Sequence, residues 1–232
     1  NGRAVSCSLP GEPGSGFRLR FEAGFDVHLE WLDAVLDAAG LESAVLCGVS
    51  YGGWVSVHYA AARPHRVRGL VLASAPGPGF EPDDRQQYYV RAPRLLLPAF
   101  LVTTRQRMKP EVMRALPDAR ARFRFVRDQV SLMARAPISP GLMARRIHVA
   151  MHADFEADAR RVQAPTLVVT GEEGLDRVVP VPSTREYLDL VPGARGHVLE
   201  RTGHLGCVTR PREFAELVRS VVPTPAVAVV AP

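Results

Sequence analysis

The stretch Ala44-Val45-Leu46-Cys47-Gly48-Val49-Ser50-Tyr51-Gly52-Gly53 sets an apolar run, a glycine-flanked serine and the start of an amphipathic segment in immediate succession. This order predicts a buried strand, a sharp turn and a helix. A serine at the apex of such a turn holds a strained backbone conformation with its hydroxyl presented outward, and glycines two residues to either side avoid a collision of Cβ atoms. Ser50 is therefore a candidate nucleophile. The G-x-S-x-G spacing alone is weak, because it recurs by chance and a strand-to-helix turn also suits phosphate binding through its N–H groups. The rest of the chain has to decide.

A serine hydroxyl needs a histidine to take its proton and a carboxylate to orient that histidine. Both occur downstream, in that order. The apolar run Pro165-Thr166-Leu167-Val168-Val169-Thr170-Gly171 leads into Glu172-Glu173-Gly174-Leu175-Asp176-Arg177-Val178-Val179-Pro180. A third strand candidate, Gly196 to Glu200, leads into Arg201-Thr202-Gly203-His204-Leu205-Gly206. Ser50, Asp176 and His204 thus each follow the carboxyl end of a predicted strand. In open parallel sheets ligands bind at that edge, so residues far apart in sequence meet there.

These motifs resemble the α/β-hydrolase family, whose nucleophile, acid and histidine follow one another in this order. The likeness runs from about Arg3 to Val222. It rests on the turn from Gly48 to Gly53, the segment Asp176 to Pro180, the Gly203-His204 turn and the loop Leu9-Pro10-Gly11-Glu12-Pro13-Gly14-Ser15. Asp176 lies two residues further from Gly171 than the family's acid does from its glycine, but it keeps the spacing to Val178-Val179-Pro180. Asp176 is preferred, with Glu173 as the substitute. The resemblance implies an oxyanion hole with one donor at the Tyr51 N–H and the other on the loop after strand three. It also implies that Asn1 to Ser8 is strand four, that strands four to eight are present, and that strands one to three are missing by truncation before Asn1. Val178 and Leu205, each next to a residue of the constellation, are expected to line the substrate pocket.

Strand and helix signals alternate, which argues for an α/β fold with a mostly parallel sheet flanked by helices. Helices are expected over Phe25–Ala39, Tyr51–Ala62, Ser183–Leu190 and Pro211–Val222, and a further strand over Arg68–Ser74. After the turn Ala75-Pro76-Gly77-Pro78-Gly79 strand signals stop until about Glu156. This stretch reads as a helical insertion, with Asp118 capping a helix from Ala119 to Ala134 and Ser139-Pro140 opening another. In the family an insertion there resembles the cap over the active site. The expected division is a core of residues 1–77 and 157–222, a cap of 78–156 and a disordered proline- and alanine-rich tail of 223–232.

At 232 residues and 47% hydrophobic content the chain suffices for one sizeable core, and no apolar run has the length of a membrane span. Three cysteines, Cys7, Cys47 and Cys207, do not make a disulfide framework. Cys7 and Cys47 are expected in core strands as reduced thiols, and a cytoplasmic location rests on cysteine usage alone. Charge is uneven: between Arg85 and Arg146 fourteen basic residues face three acidic ones, a local net of +11 within a total of +5. Such a field could attract a carboxylated or otherwise anionic substrate or surface, but a solvated helix face in an arginine-rich chain is the preferred reading, because charged helix faces are ordinary. Phe123 and Phe125 alternate with arginines, but their spacing packs them beneath the cap rather than on bases, so no nucleic-acid partner is expected.

His148 and His152 lie four apart on an expected helix without the His-Glu-x-x-His base, so no metal is assigned. His28, His58, His65 and His197 have no partner pattern. Gly11, Gly14 and Gly16 do not form a dinucleotide loop, so no nucleotide cofactor is assigned. The sequence-level expectation is a serine hydrolase acting on a small ester, lactone or related acyl compound without cofactor. Its rivals are a non-catalytic ligand-binding protein on the same fold and an acyltransferase.

Overall fold

The computed structural model describes residues 3–12, 15–19, 22, 24–82, 87, 91–92, 95–135 and 139–222. Three runs rich in aliphatic residues, β1 (Ala44–Val49), β2 (Val67–Ala73) and β3 (Thr166–Thr170), and a fourth, more polar segment, β4 (Arg195–Val198), form one parallel sheet in the order β1-β2-β3-β4. The central strands β2 and β3 are almost wholly buried, as expected for parallel strands covered on both faces. Their residues alternate between two cores. Leu70, Leu72 and Val168 join the larger, with α1 (Val27–Ala38) and α2 (Tyr51–Ala62). Val71, Ala73, Leu167 and Val169 face the smaller, closed by Phe214, Leu217 and Val221 of a carboxyl-terminal helix (Pro211–Val221).

The strand expected at Asn1–Ser8 is not formed. Residues 3–9 carry no strand, and all but Leu9 are exposed. β1 is a sheet edge among the described residues, and no strand formed by this segment pairs with it. The same edge corrects the cysteine reading: Cys7 and Cys47 are exposed, Cys207 is half-buried, and all three are free thiols.

Between β2 and β3 the chain runs through α3 (Leu97–Ala115), α4 (Ala119–Arg135) and α5 (Pro140–Ala150), then α6 (Phe155–Arg161). The caps read from sequence are in place, with Asp118 Oδ2 accepting the Ala121 N–H at 2.8 Å and Ser139 Oγ accepting that of Leu142 at 3.4 Å. Phe123, expected beneath this layer, is instead 70% exposed, while Phe125 is half-buried. On α4 the inward face runs through Ala121, Phe125 and Gln129, and Phe123 falls outside that row. α6 returns to the core, stacking Phe155 on Trp54 of α2 with ring centroids 5.0 Å apart. After β3 come α7 (Val181–Leu190), β4, the short α8 (Gly206–Thr209) and the final helix, α9. The tail of 223–232 lies outside the described residues.

Candidate active site

Ser50 ends β1 and opens α2 at φ 53° and ψ −126°, a left-handed conformation that side chains other than glycine rarely adopt. The strain is held from both sides. The Ser50 N–H donates to Ala73 O at 3.0 Å, and its carbonyl accepts the Gly53 N–H at 2.8 Å. A Cβ on Gly48 would press into the backbone of Gly52 and Gly53, and one on Gly53 into Ala75. The second glycine of the motif, Gly52, meets nothing. The close approach expected two residues after the serine therefore lies three residues after it, where α2 packs on the loop following β2.

Asp176 follows β3 and His204 follows β4, which brings both to the carboxyl edge where Ser50 stands. Oδ2 of Asp176 lies 3.3 Å from His204 Nδ1, while Oδ1 accepts the N–H groups of Val178 at 3.0 Å and Val179 at 2.9 Å. Burial opposes ionisation of Asp176, but the His204 hydrogen bond and charge, together with these two N–H groups, outweigh it and hold the carboxyl below its ordinary range. With Nδ1–H donating to the carboxylate, Nε2 of His204 is left as the proton acceptor. The alternative acid is elsewhere: Glu173 is exposed and pairs with Arg185 at 2.7 Å.

Ser50 and His204 line one cavity of about 420 Å³ beneath α3 and α5. Its wall is largely apolar, with Trp54, Phe80, Phe100, Met108 and Ile147 among the lining residues. Val178 lines it as well. Leu205 does not, because the turn that delivers His204 to the cavity directs the neighbouring residue away. Its peptide N–H instead donates to Oε1 of Glu111 on α3 at 2.8 Å.

Sequence reasoning left several residues here without a role. His28, buried in α1, donates from Nδ1 to the Phe25 carbonyl at 2.9 Å, so its Nε2 accepts the Tyr51 hydroxyl at 3.3 Å. Burial drives its pKa down to about 4, against the Phe25 carbonyl and with help from Arg146 and His58. Arg146 lies over the Tyr51 ring at 5.9 Å and pairs with Glu12 at 2.9 Å, tying α5 to the loop near the chain start. His58 is bracketed by Asp158 at 2.7 Å and Asp26 at 2.9 Å. Apart from the His28–Phe25 bond, these pairings join residues far apart in the sequence. The rings of His148 and His152 lie tilted to each other by 56° with centroids 4.9 Å apart, and among the described residues no group of three or more His, Cys, Asp or Glu side chains is placed to hold a metal.

A parallel sheet with a strained serine between strand and helix, and an Asp–His pair beside it at the strands' carboxyl ends, defines the α/β-hydrolase class. The sequence agrees, since residues 2–217 match the model of the alpha/beta hydrolase family. The chain belongs to that family. It is 29% identical over 217 residues to 2-hydroxy-6-oxo-2,4-heptadienoate hydrolase of Pseudomonas putida, covering 90% of this chain and 75% of the relative. It is likewise 29% identical to a 2-hydroxymuconate semialdehyde hydrolase of Pseudomonas putida, over 89% of this chain and 73% of that protein. Among solved structures, Est816, an N-acyl homoserine lactone degrading enzyme, superposes with a TM-score of 0.62 at 25% identity, covering 86% of this chain and 75% of that one. The enol-lactonase of Burkholderia xenovorans superposes with a TM-score of 0.66 at 17% identity, over 85% of this chain and 72% of that one, a likeness of fold alone. No helix among the described residues is long and apolar enough to cross a membrane.

Proposed function

We propose that this hydrolase cleaves a small carboxylic ester, lactone or related acyl compound through an acyl-enzyme on Ser50. The observation that carries the reading is the convergence of a strained Ser50 and an Asp176-oriented His204 on one apolar cavity. His204 Nε2 takes the Ser50 proton and the oxygen attacks the acyl carbon. Tyr51, first residue of α2, has no acceptor within the helix for its N–H, which is free to receive the developing oxyanion together with the positive end of the helix dipole. His204 passes its proton to the leaving group, then deprotonates the water that releases the acid and restores Ser50. Asp176 stays ionised and stabilises the imidazolium at each half-reaction.

In this reading residues 78–156 are the cap that encloses the substrate, residues 1–77 and 157–222 are the core, and Val178 forms part of the apolar wall. The partner is a small acyl substrate, not a nucleic acid, and the cytoplasm is the proposed location. A fluorophosphonate probe, followed by intact mass and peptide mapping, tests the assignment on this chain and on Ser50→Ala. Labelling confined to Ser50 and abolished in the folded variant supports it. A folded chain that binds acyl compounds without labelling refutes it and favours a ligand-binding protein, whereas labelled enzyme that forms products only with added alcohols or amines identifies an acyltransferase.

A further inference from the structure

Glu111 lies on α3, in the segment between β2 and β3, and its side chain is 1% exposed. A carboxylate at that depth is costly unless its oxygens are matched by donors. The donors here come from 94 residues further along: the Leu205 N–H at 2.8 Å, and the Gly203 N–H. These two amides flank His204, whose own ring turns to Asp176. The peptide on either side of the histidine is thus held by α3, while the imidazole is held by the acid loop.

We propose that Glu111 is a positioning residue that clasps the His204 turn to the inserted helices and adds a negative charge beside the Asp176–His204 pair. The proposal rests on the reading of His204 as the general base. It makes the insertion more than a cover over the substrate, because displacement of α3 then moves the base as well. The charged and titratable groups around the Glu111 carboxylate are Asp176, His204 and Cys207. Burial raises its pKa, the Gly203 and Leu205 amides oppose this, Asp176 adds to the rise and His204 counters it, with a net rise. The clasp therefore loses its charge earlier on acidification than a free glutamate would.

Two variants separate reach from charge. Glu111→Gln keeps the length but presents an amide NH₂ to one of the two N–H donors and removes the charge. Glu111→Asp keeps the charge and withdraws it by one methylene. Fluorophosphonate labelling rates from pH 5 to 9 are expected to fall at the plateau by about tenfold or more in both, as for a misplaced catalytic group. The acidic limb is expected to move to lower pH in Glu111→Gln only, since removing a negative neighbour disfavours the protonated form of the base. An imidazole NMR titration of His204, assigned by its loss in His204→Gln, is expected to move with that limb. A folded Glu111→Gln with unmoved limb and titration overturns the proposal. If that variant does not fold, a Glu111→Asp plateau within twofold of wild type overturns it. A wild-type chain that is not labelled, but whose His204 titration still moves in Glu111→Gln, upholds the clasp and refutes the hydrolase reading instead.

Discussion

Gly203→Ala tests whether the Asp176 and His204 loops are held at the spacing that activity requires. A Cβ built on Gly203 lies 2.5 Å from the carbonyl carbon and oxygen of Leu175 and 2.6 Å from Asp176 N, all backbone atoms, where ordinary contacts begin at 3.4 Å. No side-chain rotation relieves this, so the two loops must separate by about 0.9 Å if the whole strain is taken up there. The Asp176–His204 pair, already at 3.3 Å, then passes beyond hydrogen-bonding distance. A misplacement of about 1 Å in a catalytic group costs on the order of a hundredfold in rate, and overpacking of this kind costs about 1–3 kcal/mol in stability. The assay is the second-order rate of fluorophosphonate labelling at Ser50, with urea unfolding on the same samples. Labelling within threefold of wild type, with an unchanged unfolding midpoint, would refute the argument that this contact sets the spacing.

Two further outcomes follow from the packing around α2. His28 is buried and neutral, and burial pushes its pKa down to about 4 from an ordinary value of 6.5. Between those limits the unfolded chain binds a proton that the folded chain excludes, so stability falls as pH drops through this window, by about 3 kcal/mol from this group. Urea unfolding from pH 7 to pH 4 should show a smaller loss in His28→Gln than in wild type, and equal losses would contradict the assignment. Phe155→Ala removes a buried ring that stacks on Trp54 and meets Phe25 edge-on at 5.0 Å, and should destabilise the chain by about 3–5 kcal/mol. A loss below about 1 kcal/mol in urea unfolding would mean that this aromatic cluster does not anchor α6.

Local sequence carries the elements because period and punctuation are local properties. The buried runs 166–170 and 67–73, the helix from Tyr51 that stops before Pro64, and the caps at Asp118 and Ser139 each follow from a few adjacent residues. The order Ser50, Asp176, His204 is also linear information, and a parallel sheet carries it to one edge. The position of the strained turn was legible in Gly48, but the reason for Gly53 was not, since it lies in Ala75 on the next strand's loop.

Edge and centre are decided only when strands pair, which is why Cys47 looked like a core residue and is exposed, and why a strand expected around Cys7 is not formed. Likewise nothing near Glu111 in the chain marks it, because its partners are two backbone amides contributed from beyond β4. Glu173 and Asp176 were nearly equivalent as letters, and the direction in which the loop turns gave one to His204 and the other to Arg185. The sequence alone determined which elements form and in what order the reactive groups appear. The tertiary structure decided which groups meet, because contacts between distant segments depend on sheet register and loop direction, which no local run of residues encodes.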